Sequence, residues 1–569
     1  MNKKQLRKKH LVQYFIALFV LLIIAVGAGY RFFRIDLTTE KRYTVSNTTK
    51  TLLKELDDVV YVRVYLDGDL PPNYMRFQLA IREMLDEFRA YGGDNLQYEF
   101  INLFEEPDLE IRKKVIRGIR DKGLKVESIE VPDGEAGMLE KYIFPGAIVS
   151  YRGSEFPLNL LKTNRSLPEE VVLNNSIQSI EYQFARAIFS LTLEKVPKIA
   201  FIEGHGELDS MQTASIMEEL RNYFQVDRGF INGNAQVLND YEAIIIAQPL
   251  YPFNEQDKFA IDQYIMRGGK VLWFLDPVLT EADSLASGMT IGLANEINTE
   301  DLLFKYGVRI DYNLITDIQC YKVPVNIAPA GEEEKFVLRS LKYYPMFTAY
   351  PGHPVTNGLN YIKGQFVSAL GIVENSGNKI KKTVLLASSA NSLSQGVPMR
   401  ILVEEATREP DPNVLTQQHL PVAILLEGEF ESFYKNYAVP GGVYPADIEI
   451  IKESKTTSMV VVGDGDIIRN EITFQNGRYW PLPLGYEEYT GQMFGNLEFV
   501  MNLVNYMTDE VGLMELRSRE FKLRLLNMEV MKNKKKVRTW MLVNTVLPVF
   551  VIVLFGLTFY YFRKKKYTS

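Results

Sequence analysis

The sequence predicts an α/β ectodomain carried between two membrane-spanning helices. Three observations carry that reading. Each end of the 569-residue chain holds an uncharged apolar run of bilayer length. The first half of the interior runs in the order β-α-β-α-β-β-α. The second half alternates apolar strand runs with helices, the pattern of a doubly wound parallel sheet covered on both faces.

The ends come first. Residues 11–30 and 540–562 each approach the roughly 20 residues a helix needs to cross a bilayer. A cleaved signal peptide is the alternative for the first, but no polar cleavage region follows "AVGAGY", which favours an uncleaved anchor. Trp540 at one end of the second run, with Tyr560 and Tyr561 at the other, fits an interfacial aromatic belt. Lys3, Lys4, Arg7, Lys8 and Lys9 precede the first run, which places residues 1–10 in the cytoplasm by the positive-inside rule. The tail, 563–569, then returns to the cytoplasm, and residues 31–539 lie outside the inner membrane, in the periplasm where an outer membrane exists. The second run is flanked by basic residues on both sides, so the first decides.

A first module is expected over 31–195. Thr44 to Leu56 reads as a capped amphipathic helix. "VVYVRVYLD" and "LQYEFINLF" read as strands, each followed by a helix, and "YIFPGAIVSYRGSEFPLNLL" as two strands about a turn. "SIQSIEYQFARAIFSL" closes the unit as a helix. This order is thioredoxin-like, yet the module contains no cysteine, so redox chemistry is excluded. The second module, 196–510, opens with the strand "KVPKIAFIEG". It continues with helix "SIMEELRNYF", strand "YEAIIIAQP", capped helix "NEQDKFAIDQYIMRGG" and strand "KVLWFLDP". Later strands are expected at "KTVLLAS", "PVAILLEG" and "SMVVVGDGD", and a last helix at "GNLEFVMNLVNYM". Between Pro277 and Gly371 long surface excursions are expected. Residues 511–539 mix apolar and basic residues at helical spacing. They read as a juxtamembrane helix whose Lys532, Lys534, Lys535, Lys536 and Arg538 either stay solvated or meet lipid headgroups or a partner.

The composition narrows the chemistry. A net charge of −7 argues against nucleic acid as the main partner. The single cysteine, Cys320, rules out an intramolecular disulfide, a CxxC pair and a Cys-rich zinc site, and no glycine-rich elbow makes it a nucleophile. No phosphate-binding G-x-x-x-x-G-K-[ST] loop, H-E-x-x-H or G-x-S-x-G occurs. Two strand-end loops remain as candidates. In the first, Gly204, His205, Gly206, Glu207 and Asp209, the histidine is a possible general base or metal ligand. A three-histidine metal site would require His353 and His419 to converge on it. The plainer reading is that the glycines turn the chain sharply while His205 and Glu207 bond loop backbone or cap the next helix, or face a partner. In the second loop, Asp464 and Asp466 suggest a divalent cation, but the later ligands of a calcium loop are missing and a tight turn is preferred. No catalytic residue, metal ligand or cofactor is assigned.

"RIDLTTEKRYTVS" after the first apolar run, "FIEGHGE", "VVVGDGDIIRN", "FGNLEFVMNLVNYM" and "ELRSREFKLRLLN" before the second, in that order, resemble the GldG family. These are gliding-motility-associated, substrate-binding-like accessory proteins of ABC transporters in Bacteroidetes, and the resemblance spans essentially the whole chain. It implies a glutamine-amidotransferase-like second module without catalytic machinery, and a role beside an ATPase and a polytopic permease. It carries over no catalytic residue and leaves the chemistry of Gly204 to Glu207 unassigned. The expectation is therefore a non-catalytic, two-pass, inner-membrane accessory subunit of an ABC-type complex. Its expected partners are an ABC permease, a cytoplasmic ABC ATPase and membrane lipid, with up to two copies of the chain. The rival is a membrane-tethered periplasmic enzyme or carbohydrate-binding protein using the Gly204–Asp209 loop. A conventional solute-binding subunit fits two unlike modules less well.

Overall fold

Ser46 caps the first described helix of the folded region, α1 (Asn47–Lys54), its side chain accepting from Thr49 N. β1 (Val60–Val64) buries Val60, Val62 and Val64 in strict alternation. α2 (Pro72–Gly92) buries Tyr74, Phe77, Ile81, Leu85 and Phe88, spaced three and four apart, the stripe that seats a helix on a sheet. β2 (Leu96–Phe100) lies parallel to β1, and α3 (Leu109–Asp121) starts on Asp108, which accepts from Glu110 N and Ile111 N. A hairpin not read from the sequence follows, β3 (Glu127–Asp133) with β4 (Gly137–Ile143). β5 (Gly146–Tyr151) pairs antiparallel with both β1 and β6 (Ser154–Asn159), giving the order β2-β1-β5-β6. α4 (Glu169–Thr192) then runs through the core. The other elements of the first half stand where the sequence places them, with boundaries moved by a few residues.

The computed structural model describes residues 11–20, 22, 44–105, 108–133, 137–162, 168–281, 284–285, 288–326, 328, 333, 335–349, 352–374, 379–445, 447–475, 477–518 and 534–568. The chain divides into two units, Met1–Arg519 and Glu520–Ser569.

The larger sheet of the first unit begins at β7 (Lys198–Glu203), followed by α5 (Ala214–Leu220), β8 (Gln225–Phe230), β9 (Ala243–Ala247), α6 (Glu255–Met266) and β10 (Lys270–Phe274). β7, β9 and β10 are buried on both faces. Phe201, Ile245, Leu272 and Phe274 enter one core, while Ile202, Ile244, Ile246 and Trp273 enter the other. This is the double coverage that a near-continuous apolar run demands.

The expectation of surface excursions from 278 to 370 is corrected. That stretch contains β11 (Val278–Leu279), β12 (Met289–Ala294), α7 (Glu300–Tyr306), β13 (Val308–Ile310), β14 (Asn313–Asp317), β15 (Cys320–Asn326), β16 (Phe336–Ala349), β17 (Ile362–Lys363) and the start of β18 (Leu370–Ile372). Downstream lie β19 (Lys379–Ala387), β20 (Ser392–Gly396), β21 (Met399–Leu402), β22 (Pro421–Glu429) and β23 (Thr457–Val462). The main sheet runs β15-β16-β19-β22-β23-β10-β9-β7-β8. From β23 to β8 it is parallel, as the sequence predicts. From β22 to β15 it is antiparallel, a second correction. The physical reason is visible in β19, whose first half carries exposed Lys379 and Lys381 about buried Ile380, the alternation of a half-exposed antiparallel strand.

Past the sheet come a small hairpin, β24 (Ile472–Gln475) with β25 (Arg478–Pro481), and then α8 (Asn496–Met507). The stretch expected to begin a juxtamembrane helix is a 3-10 turn at Leu513–Ser518. Its Leu513, Met514 and Leu516 pack into the first module's core together with Leu173, Ile180 and Tyr182 of α4. Arg517 stands over the Tyr182 ring, 5.5 Å to its centroid. α4 also holds the other end of the folded region: Glu181 Oε1 accepts from Ser46 N at 2.7 Å and Thr49 Oγ1 at 3.0 Å.

The second unit consists of α9 (Lys534–Thr568), in which Val537–Lys565 is long and apolar enough to cross a membrane. At the other end, Leu11–Val20 is a short apolar helix. Residues 1–10 of the expected cytoplasmic N-terminus, 21 and 23–30 of the expected first anchor, and 519–533 of the expected juxtamembrane helix with Lys532, lie outside the described residues.

Candidate functional site at the carboxyl edge of the sheet

Numbered along the chain, the parallel strands β7, β8, β9, β10 and β23 stand in the order 2-1-3-4-5. In such a sheet the connections leave in opposite directions beside the first strand, so the ligand crevice opens between β7 and β9 at their carboxyl ends. The Gly204–Asp209 loop lies there and bridges to the loop after β9. Gly204 and Gly206 take φ of +124° and +77°, turning the chain back over the sheet. A Cβ on Gly206 would lie 2.9 Å from the Tyr251 ring, so glycine is required by space as well as by angle. The loop is tied to the one after β9: His205 O accepts from Leu250 N and Tyr251 N, each at 2.8 Å, and Ala247 O accepts from Leu208 N at 3.0 Å.

The His205 ring points inward and is buried. It stacks on Phe253 with centroids 3.7 Å apart. Nδ1 lies 3.1 Å from Glu207 Oε1 and Nε2 3.3 Å from Asp257 Oδ2. Burial alone would lower its pKa, but the bonds the ring makes to Asp257 and then Glu207 outweigh it and hold the imidazole at about 9. Each ring nitrogen thus faces a carboxylate, the arrangement that favours the imidazolium. Glu207 also accepts from the His205 backbone N at 2.7 Å. Asp257 sits in the first turn of α6 and accepts from Gly233 N and Asn254 Nδ2. Its pKa is lowered because these bonds and the imidazolium outweigh its burial. Asp209 forms a turn of its own, accepting from Met211 N and Gln212 N. On the far side Arg228 of β8 bonds Glu203, Leu208 O and Thr213 Oγ1.

The second predicted loop stands on the same edge, two strands beyond β9. Asp464 and Asp466 follow β23, and Asp276 follows its neighbour β10. Gly465 N donates to Asp276 Oδ1, Asp466 N to Asp464 Oδ1 at 2.9 Å, and Gln365 N to Asp464 Oδ2 at 3.0 Å. Gln248, in the left-handed region at φ +57°, donates its amide to both Asp276 and Asp466. Burial, and then the Asp466 charge, push Asp276 up to about 7, and the same causes push Asp464 well above the carboxylate range. These carboxyls carry protons where ordinary aspartates do not. Among the described residues, no group of three His, Cys, Asp or Glu side chains is arranged to hold a metal ion.

The other histidines stand with different partners. His353 packs on Tyr506, and His419 N bonds Ser389 O. Cys320 is buried, and burial pushes its thiol up to about 11, which suppresses the thiolate. Lys535 and Arg538 are exposed at the start of α9. Three residues that the sequence does not single out partner the two expected loops at this edge: Asp257 the first, Gln248 and Asp276 the second. Asp257 follows the cap residue Asn254 and Asp276 ends the run "KVLWFLDP"; both positions were legible as helix start and strand end, but not as partners.

Fold and site together define an α/β protein with a bilayer-length helix and a switch-point crevice bridged by its own loop. Residues 196–503, more than half of the chain, match the family described as "ABC-type uncharacterized transport system", and the chain belongs to this family of ABC-transporter auxiliary proteins. Membership suggests a non-catalytic role in association with an ABC transporter. Residues 39–150 match a domain of unknown function (DUF7088). An uncharacterized protein of Borreliella burgdorferi is 21% identical over 563 residues, covering 96% of each chain. Among solved structures, the mmIFT52 N-terminal domain is 11% identical with a TM-score of 0.32, over 55% of this chain and 97% of that one.

Proposed function

We propose that the chain is a non-catalytic, membrane-anchored accessory subunit that couples a cytoplasmic ABC ATPase and its permease to an activity outside the membrane. The observation that carries the reading is Val537–Lys565, apolar and with none of its length buried in protein, in a chain whose folded unit carries the family match. A helix of that length and composition can cross a bilayer with its backbone groups bonded internally. The non-catalytic part rests on the bridged crevice and on each His205 ring nitrogen facing a carboxylate.

The finer parts of the proposal have separate supports. Two-pass topology, with residues 1–10 and 563–569 cytoplasmic and 31–539 periplasmic, rests on the basic residues before Leu11. A thioredoxin-like module at 31–195 is supported by the order β2-β1-β5-β6, with β5 antiparallel to both of its neighbours. An amidotransferase-like module at 196–510 is supported by the five-stranded parallel segment. A role in gliding motility rests on the GldG resemblance alone. The Gly204–Asp209 loop and Asp464–Asp466 are proposed as the edge that faces a partner. Lys532, Lys534, Lys535, Lys536 and Arg538 are proposed as the contacts with lipid headgroups.

The test is affinity purification of the tagged chain from native membranes in mild detergent, with partners identified by mass spectrometry. Stoichiometric recovery of an ABC ATPase and a polytopic permease is expected. Recovery of the chain alone, under conditions that keep other ABC complexes whole, would overturn the proposal.

A further inference from the structure

The hairpin of β24 and β25 leaves the fold with its apolar side chains uncovered. Ile472, Phe474, Tyr479 and Trp480 are 40, 61, 66 and 53% exposed. The ladder pairs Ile472 with Pro481, Thr473 with Trp480 and Phe474 with Tyr479. Alternation therefore puts Ile472, Phe474, Tyr479 and Pro481 on one face and Trp480 on the other. The Phe474 and Tyr479 rings lie 5.0 Å apart, so the first face is a continuous apolar strip. The three aromatic side chains together expose roughly 400 Å², divided between the two faces, an area comparable to the largest apolar patch on a typical monomer, which is often functional. A two-stranded ribbon is marginal in water, so such a surface calls for an occupant.

We infer that this hairpin is a membrane contact of its own, with Trp480, Tyr479 and Phe474 seated in the headgroup region of a bilayer. Three features select lipid over a protein surface. The apolar groups project from both faces of the ribbon, whereas a docked protein covers one; a bilayer interface surrounds both. Trp and Tyr are the side chains that prefer that interface, with apolar rings and polar tips, and exposed Arg478 at the start of β25 offers a cation to lipid phosphates. The inference rests on the membrane-anchored reading of α9.

The chain's three tryptophans allow both to be tested at once, because Trp273 is fully buried while Trp480 and Trp540 report hairpin and helix separately. The full chain is reconstituted into phosphatidylethanolamine–phosphatidylglycerol vesicles doped with phosphatidylcholine brominated near the headgroup end of its acyl chains. In Trp540→Phe, emission from Trp480 should be blue-shifted and quenched severalfold by the brominated lipid. In Trp480→Phe, quenching of Trp540 should remain, and the double variant supplies the Trp273 background. Quenching of Trp540 with none of Trp480 would overturn the hairpin contact and leave the anchor standing. Quenching of neither would overturn both. Shielding of Trp480 in native membranes but not in pure lipid would also overturn the inference, assigning the hairpin to a protein partner.

Discussion

Burial would strip the proton from His205 were it not held between Asp257 and Glu207, and the balance sets how stability follows pH. The folded pKa, about 9, stands above the unfolded value near 6.5. Its contribution is complete below about pH 6.5 and is lost as pH rises through 9. His205→Gln should therefore cost about 3 kcal/mol in denaturant unfolding at pH 6, with the gap to wild type closing towards pH 9.5. Asp276 follows the same linkage sign at lower pH, with burial rather than a partner as the cause. Its folded pKa of about 7 exceeds the unfolded 3.9, so the folded state holds a proton that the unfolded state has lost. Stability falls as pH rises from about 4 to 7 and is level beyond. Asp276→Asn removes that penalty and should raise stability at pH 8 while changing it little at pH 4, read from paired melting curves. Gly206→Ala meets both a positive φ and the Tyr251 ring, and should cost more than about 1 kcal/mol.

Among the elements, α8 and the Leu513–Ser518 turn fasten the two modules of the first unit. Glu498, in the first turn of α8, accepts from Lys162 Nζ at 2.7 Å and from Arg517 Nη2 at 2.9 Å. Burial alone would raise its pKa, but Lys162 and Arg517 hold it at about 2. Glu498→Ala leaves two cations facing each other and should cost about 2 kcal/mol at pH 7, discounted for partial exposure. The contribution lost is one that persists above about pH 4.3 and disappears as acid approaches pH 2, so the variant and wild type should converge in acid unfolding. Such a clamp is invisible in sequence because its three members are 336 and 19 residues apart. The strands that were legible, β7, β9, β10 and β23, are buried on both faces and so spell unbroken apolar runs. β8 was passed over because, at the sheet edge, "QVDRGF" buries little. Of the antiparallel half, β19 and β22 were legible as strands though not as antiparallel, whereas β15 and β16 were hidden because strands exposed on one face scatter their apolar residues among lysines and tyrosines. The candidate loops were legible as glycine and aspartate turns at strand ends, but Asp257, Gln248 and Asp276 become their partners only through sheet order.

For the whole molecule the proposed topology has a direct readout. Native Cys320 is buried with its thiol raised, so it should remain silent to a membrane-impermeant maleimide. A cysteine introduced at exposed Glu488 should label in intact spheroplasts, and one introduced at Ser569 only after lysis. Labelling of both sites, or of neither, before lysis would contradict a two-pass chain with its folded unit outside.

Both ends of the folded region are fastened to α4. Ser46 and Thr49 hold it through Glu181, and Leu513 to Arg517 hold it through Tyr182 and the core around it. A protein strapped down at two distant corners can only be stretched or sheared by its straps. One whose entering and leaving chain are tied to a single helix instead bears a pull at that helix, and the sheet of the second module is left unloaded.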